Sequence, residues 1–288
     1  MNITKCIKFV LFLFAFYISY GTYTVIAQLN VASAQQIEQF YKTTTCVVKD
    51  GKPFSFFNVY LKDALEKNWK LTKLKFIEVD EFEKLRQNTE YSFILLSEAT
   101  FKEGKDIVKL DILNIVLGQK GNGLDDMPDL GSIPLCYTED DETVYLYKIP
   151  ALIKMIQYQM DIAFNNKITS PQSLINHHNQ YRKEIRSKEL WLLYEELTDE
   201  VNSGDKLKKA GIINVKIKSK DELEEAIEKG SDILFIHAIS PNKENTNGKM
   251  WLIVISAKEG KVFFVKEKNL KNNDENGLGL KDIQDLVN

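Results

Sequence analysis

The sequence holds three histidines, three cysteines and six prolines in 288 residues. So few imidazoles leave little material for a histidine base or a histidine-rich metal centre. None of HExxH, GxSxG, GxxxxGK[ST] or GxGxxG occurs. The metalloprotease, α/β-hydrolase, P-loop and dinucleotide signatures are therefore absent. Gly118, Gly121 and Gly123 have the wrong spacing for a phosphate cradle, and they fall between strands, not ahead of a helix. No CxxC is present, which removes the thioredoxin-type redox motif. Basic charge is not in excess, with 38 Lys and Arg against 41 Asp and Glu. No basic stripe with interleaved aromatics occurs, so a nucleic-acid partner is not expected.

The one long apolar run lies at the N-terminus. Lys5 and Lys8 precede FVLFLFAFYISY, residues 9–20, and Val25-Ile26-Ala27 follows. A basic segment, an apolar core and a small-residue site together predict a secretory signal over residues 1–27. A second small-x-small site, Ala32-Ser33-Ala34, stands just downstream, and retention as an uncleaved anchor is the alternative. No cysteine follows either site, which argues against a lipoprotein. Cleavage takes two lysines and no acid, moving the formal charge from −3 to −5. The mature chain is then expected in the periplasm or outside the cell, with no further membrane span.

In an oxidising compartment Cys46 and Cys136 could pair. Such a bridge would close a loop of about 90 residues, worth ~4–5 kcal/mol in the chain-entropy model. Two separate buried thiols acting as small hydrophobes, or one reactive thiol, are the other readings.

Two stretches correspond. DEFEKLRQNTEYSFILL begins at Asp80 and DELEEAIEKGSDILFIH at Asp221. Each is a charged amphipathic segment running into an apolar strand, with Asp80 and Asp221 expected as helix caps. Placed without a gap, Phe82 meets Leu223, Phe93 meets Leu234 and Leu95 meets Ile236. The flanking pattern repeats as well. Before these stretches come TTTCVV (residues 43–48) and LWLLY (residues 190–194), each followed by a helical segment and a second strand. After them LNIVL (residues 113–117) matches WLIVI (residues 251–255), and VYLYK (residues 144–148) matches VFFVK (residues 262–266). Pro150 then opens a helix in the first half, and residues 280–287 close the second. The reading is an α/β protein made of two tandem copies of a mixed-sheet unit, in the order α-β-α-β-α-β-β-β-α. The units span residues 35–165 and 166–288. Strands joined by helices should be parallel with right-handed crossovers, and the last three of each unit antiparallel.

Candidate chemistry is sparse. His177 and His178 are adjacent on an expected helix, so they point about 100° apart and cannot share a metal. They read as a solvated face, and His237 as a hydrogen-bonded residue at a core edge. The run 139–142 (EDDE) reads as a solvated turn. Phe54, Phe56, Phe57 and Tyr60 read as core, with an exposed recognition patch as the alternative. The loop GNGLDDMPDLGS, residues 121–132, has no counterpart in the second half, where residues 242–247 are merely polar. Its Asp125, Asp126, Met127 and Asp129 form the candidate recognition loop. They lack the alternating ligands and terminal Glu of a calcium loop, so no metal, cofactor or catalytic residue is assigned.

On the YSFILL strand after the DEFEKL helix, the MPDLGSIPL loop, and the DELEEAIEKG helix with its DILFI strand, the mature chain resembles a poorly characterised family of exported tandem-repeat proteins of Gram-negative envelopes. A more remote likeness is to the N-terminal α/β module of TolB-type periplasmic proteins, carried by Leu61, Asp63, Ala64 and Leu65. No propeller follows here and the lipoprotein cysteine is missing. The resemblance implies a non-enzymatic interaction or scaffold protein whose partner is another envelope protein. A small-ligand-binding protein with its site between the lobes is the alternative, and a hydrolase using acidic residues the third reading.

Overall fold

A computed structural model describes residues 31–52, 55–103, 106–121, 123–166, 168, 170–241, 248–270 and 277–287. The expected export segment, Phe54 and the polar link 242–247 lie outside these residues. The first unit runs α1 (Ala34–Phe40), β1 (Thr44–Val48), α2 (Phe56–Asn68), β2 (Lys73–Ile77), α3 (Val79–Leu85), β3 (Tyr91–Glu103), β4 (Asp106–Leu117), β5 (Ile133–Tyr137) and α4 (Ile149–Asn166). The second runs α5 (Pro171–Asn179), β6 (Leu190–Leu193), α6 (Gly204–Lys209), β7 (Val215–Lys218), α7 (Lys220–Glu228), β8 (Leu234–Ile239), β9 (Gly248–Ser256), β10 (Val262–Leu270) and α8 (Leu280–Val287).

The two sheets have one topology. Their strand orders are β2-β1-β3-β4-β5 and β7-β6-β8-β9-β10. In each the first strand pairs parallel with the second and third, and the remaining pairs are antiparallel. The chain is thus an α/β fold of two similar five-stranded units.

Local chemistry accounts for most boundaries. Ser33 and Gln36 form a capping box at α1, and Ser170 caps α5 with Pro171 at its start. Helix α2 buries Phe57, Leu61, Ala64 and Leu65, a stripe at helical spacing. Asp80 and Asp221 are not caps. The caps are Glu78, without a side-chain bond, and Ser219, which forms a capping box with Glu222. Both aspartates sit in the first turn, where a negative charge suits the helix dipole.

The closing strand of the first unit differs from expectation. It is Ile133–Tyr137, and residues 143–149 instead form two 3₁₀ turns, Glu142–Val144 and Leu146–Lys148. The Asp141 carboxylate accepts from the Thr143 amide and starts the first turn. Tyr145, Leu146, Tyr147 and Lys148 are all buried in succession, which no half-buried strand allows. Pro134 is tolerated because β5 is the sheet edge.

A second difference concerns faces. We call front the face covered by the first crossover helix (α2 or α6) and back the face covered by the second (α3 or α7). Phe93 and Leu95 cluster with Phe82 of α3 on the back of the first sheet. Leu234 and Ile236 cluster with Leu207 of α6 on the front of the second. All four are buried, on corresponding strands, but on opposite faces. The ungapped match slips by one residue between helix and strand, and a one-residue slip turns every side chain over. Phe93 corresponds to Phe235, because each lies beside the middle of its first strand (Cys46 or Trp191) on the back face.

One core joins the units. The front of the first sheet, with α1, α2 and α4, packs against the back of the second, with α7. Lys154 of α4 donates to the Ala257 carbonyl at 3.0 Å, and the Tyr60 hydroxyl donates to Glu224 at 3.2 Å. Gly260 has φ +70°, and a Cβ there would lie 2.3 Å from the Lys154 carbonyl carbon, so the β9–β10 turn needs glycine to seat on α4.

Candidate functional site

In open α/β sheets ligands bind at the carboxyl ends of strands, where neighbouring connections run in opposite directions. Here that point lies beyond β1 and β3 in the first unit, and beyond β6 and β8 in the second. A cavity stands at each. The first, about 430 Å³, is a groove reached by Lys49, Asp50, Leu95, Glu98 and Asp111. The second, about 300 Å³, is reached by Leu193, Glu195, Glu196, Ser240 and Met250. The positions correspond. Val79 of α3 and Lys220 of α7 each begin the second crossover helix and each line their cavity.

The second cavity is occupied in part by the chain itself. Cys136, Asp140, Thr143, Val144 and Tyr147 of the first unit form one wall. Lys148, only 1% exposed, donates to Glu196 at 2.8 Å, and Lys220 donates to the Thr143 carbonyl at 2.7 Å. Burial alone would drive the Lys148 ammonium toward its neutral form. The Glu196 carboxylate and the Tyr147 hydroxyl more than offset this, so its pKa is raised and it stays charged. Close by, His237 donates from Nε2 to the Pro134 carbonyl at 2.9 Å, a bond that crosses the seam. Burial, with the Lys148 charge adding to it, lowers the His237 pKa to about 3, so the ring is neutral.

The groove of the first unit has no such plug among the described residues. The Asp50 amide and carbonyl both bond the Asn58 side chain of α2, which fixes the chain as it leaves β1. Asp50 Oδ1 accepts from the Lys52 amide at 3.3 Å, and Oδ2 is buried without a partner among the described residues. Burial pushes the Asp111 carboxyl above the usual carboxylate range. The Lys52 charge opposes this, while Glu98 and Asp50 add to it. Glu98 stands 3.6 Å from the Lys109 ammonium. The arrangement can bind a cation and hold a polar molecule over an apolar floor of Val48, Phe82 and Leu95.

The 121–132 loop forms one wall of this groove through Leu124. The structure divides its candidate residues. Met127 is buried with Phe82 and Phe93, so it is core. Asp129 Oδ1 accepts from the Gly131 amide and the Ser132 hydroxyl, both at 2.9 Å, and so shapes the loop. Asp126 is exposed and accepts from the Gly123 amide at 3.4 Å. Asp125 lies in the 3₁₀ turn Leu124–Asp126, and its side chain is outside the description. The groove's own acids, Asp50, Glu98 and Asp111, come from three distant positions and form no motif. The only signal was topological: a strand end beside a switch of direction.

Other candidates resolve as structure. Cys46 and Cys136 are separate buried thiols, and burial raises the pKa of both, that of Cys46 to about 11. His178 is buried, not solvated. It stacks on Tyr158 at 6.4 Å, and burial, helped by His177, lowers its pKa to about 3. Among the aromatics, Phe57 is core and Phe56 is 64% exposed, one turn from exposed Val59. Among the described residues no helix is long and apolar enough to cross a membrane. Comparison with protein-family models, with curated proteins and with solved structures finds no match to this chain.

Proposed function

We propose that the protein is an exported, non-enzymatic recognition protein of the cell envelope, and that its contact surface is the open back of the first sheet. One observation carries this reading: the strand-end cavity of the second unit is walled on one side by residues of the first unit, and the matching groove of the first has no such wall among the described residues. The N-terminal sequence, with Lys5, Lys8 and the apolar run 9–20, supports export. The described histidines and cysteines are structural or buried, which favours binding over turnover. Exposed Phe56 and Val59 sit on the α2 turn that Asn58 ties to Asp50, and add apolar area near the strand end.

The test is capture from envelope extract by the mature protein, against Val79→Trp and Glu98→Arg, which block or reverse the groove. A partner retained by the wild type and lost by both folded variants is the expected result. Capture indifferent to both would overturn the assignment. A second reading, a small ligand held between the lobes, draws on the seam cavity of about 300 Å³. Tyr147 lines this cavity and Lys148 is fixed beside it by Glu196, so ligand binding there would be sensitive to Lys148→Met.

A further inference from the structure

We propose that the groove of the first unit is a receptor for a primary alkylammonium group, the end of a lysine side chain or of a free diamine. The inference deepens the reading above and rests on the same groove.

The molecule contains its own precedent. At the strand ends of the second unit the group delivered is Lys148, an ammonium on a turn whose neighbour Tyr147 lines the same cavity. Its acceptor, Glu196, follows β6 as the 49–52 segment follows β1. The second unit therefore holds an ammonium of the chain at its strand ends, on Glu196 and beside its cavity.

The empty site has the matching chemistry. Its floor of Val48, Phe82 and Leu95 suits the methylene stem of a lysine, which prefers apolar surface while its head stays polar. Its inner end holds Asp111, a carboxyl raised by burial, and Asp50 Oδ2, a buried oxygen without a partner among the described residues. A buried carboxylate is costly until a cation pairs with it, and ammonium–carboxylate hydrogen bonds are among the strong ones. The groove's own lysines do not fill this role. Lys49 pairs with Glu78 and Lys109 with Glu98, while exposed Lys52 acts on Asp111 from the rim. A volume of about 430 Å³ exceeds what one lysine side chain occupies, so a flanking residue fits too, as Tyr147 does in the other unit.

The experiment titrates the mature full chain with 1,5-diaminopentane and, separately, with acetyl-Tyr-Lys-amide, followed by amide chemical shifts. Saturable shifts centred on residues 49–52, 95–98 and 111 are expected, weakening as pH falls and Asp111 takes up its proton. Asp111→Asn should weaken binding about tenfold, and Asp50→Asn gives an independent reading if the first variant folds poorly. Glu195→Gln, in the second cavity, should leave it unchanged. Tighter binding of the dipeptide points to a partner's lysine; equal or tighter binding of the diamine points to a free amine. No saturable shift with either probe at about 10 mM overturns the proposal, as does undiminished binding to Asp111→Asn. If a partner is still captured through the groove, only the ammonium chemistry has failed. If the probes bind and capture ignores the groove, the interaction role has failed and the receptor stands.

Discussion

Cys46 and Cys136 lie in the first unit, and His177, His178 and His237 lie in the second. The topology is shared, yet the polar and reactive content is not. Coverage differs as well. The front of the second sheet carries a large cluster under α6, α8 and the 3₁₀ turn Arg182–Ser187. The back of the first carries a small one under α3 and Met127. A repeated fold therefore preserves which strand pairs with which, while each copy is free to decide what its faces do. The covered copy serves stability, and the thinly covered copy keeps surface available.

The largest test of this contrast uses acid. His178 and His237 have folded pKa values near 3 against an ordinary 6.5. The unfolded chain binds their protons first, so stability is fully present above about pH 6.5 and falls as pH drops toward 3. The expected loss is several kcal/mol by about pH 4. His178→Phe combined with His237→Gln should flatten the curve. Hydrogen exchange should show the second unit opening first, and exchange that began in the first unit would contradict this.

Next in size is the seam. Lys148→Met leaves Glu196 without its cation and should cost ~3–5 kcal/mol by denaturant unfolding. The double variant Lys148→Met/Glu196→Gln should recover much of it, and an additive double would mean that the pair is not coupled. Smaller still is the contrast between faces. Leu234→Ala, on the covered front, should lie toward the upper end of ~2–5 kcal/mol, and Leu95→Ala, beside the open groove, toward the lower end. Equal costs would remove the difference in coverage. The thiols should report packing without a stability change. A thiol reagent should leave Cys46 and Cys136 unmodified in the native protein and modify both in denaturant, because burial raises both pKa values and blocks access.

Element order and the two mixed sheets were legible in the sequence because apolar periodicity reflects burial, and burial repeated. The parallel pairing of helix-linked strands and the antiparallel closing strands followed from the connections, whereas the order of strands within each sheet comes from the structure. Two details did not follow. VYLYK reads as a strand by alternation, but Tyr145 to Lys148 are buried in succession at the seam, and periodicity cannot tell a buried turn from a buried strand. The alignment of Phe93 with Leu234 missed one residue, since nothing in a run of apolar residues marks which face each takes. The candidate loop stands out by composition, yet its Asp126 and Asp129 bond the loop's own backbone and its Met127 is core. The groove acids were invisible as a motif because topology, and not spacing along the chain, brings them together.

The packing of the first unit's front on the second unit's back has a further consequence. A contact between unlike faces has no twofold axis, so repeating it gives a ring where the rotation closes and an open row where it does not. In the open case, units that met this way as separate chains would form a row, each offering the next an uncovered face. Fusing two of them in one polypeptide fixes the count at two and leaves the row with a capped end, under α6 and α8, and a growing end, at the groove beside α3. In that sense the chain is the shortest segment of such a row, and the proposed contact surface is the face on which a next unit would sit.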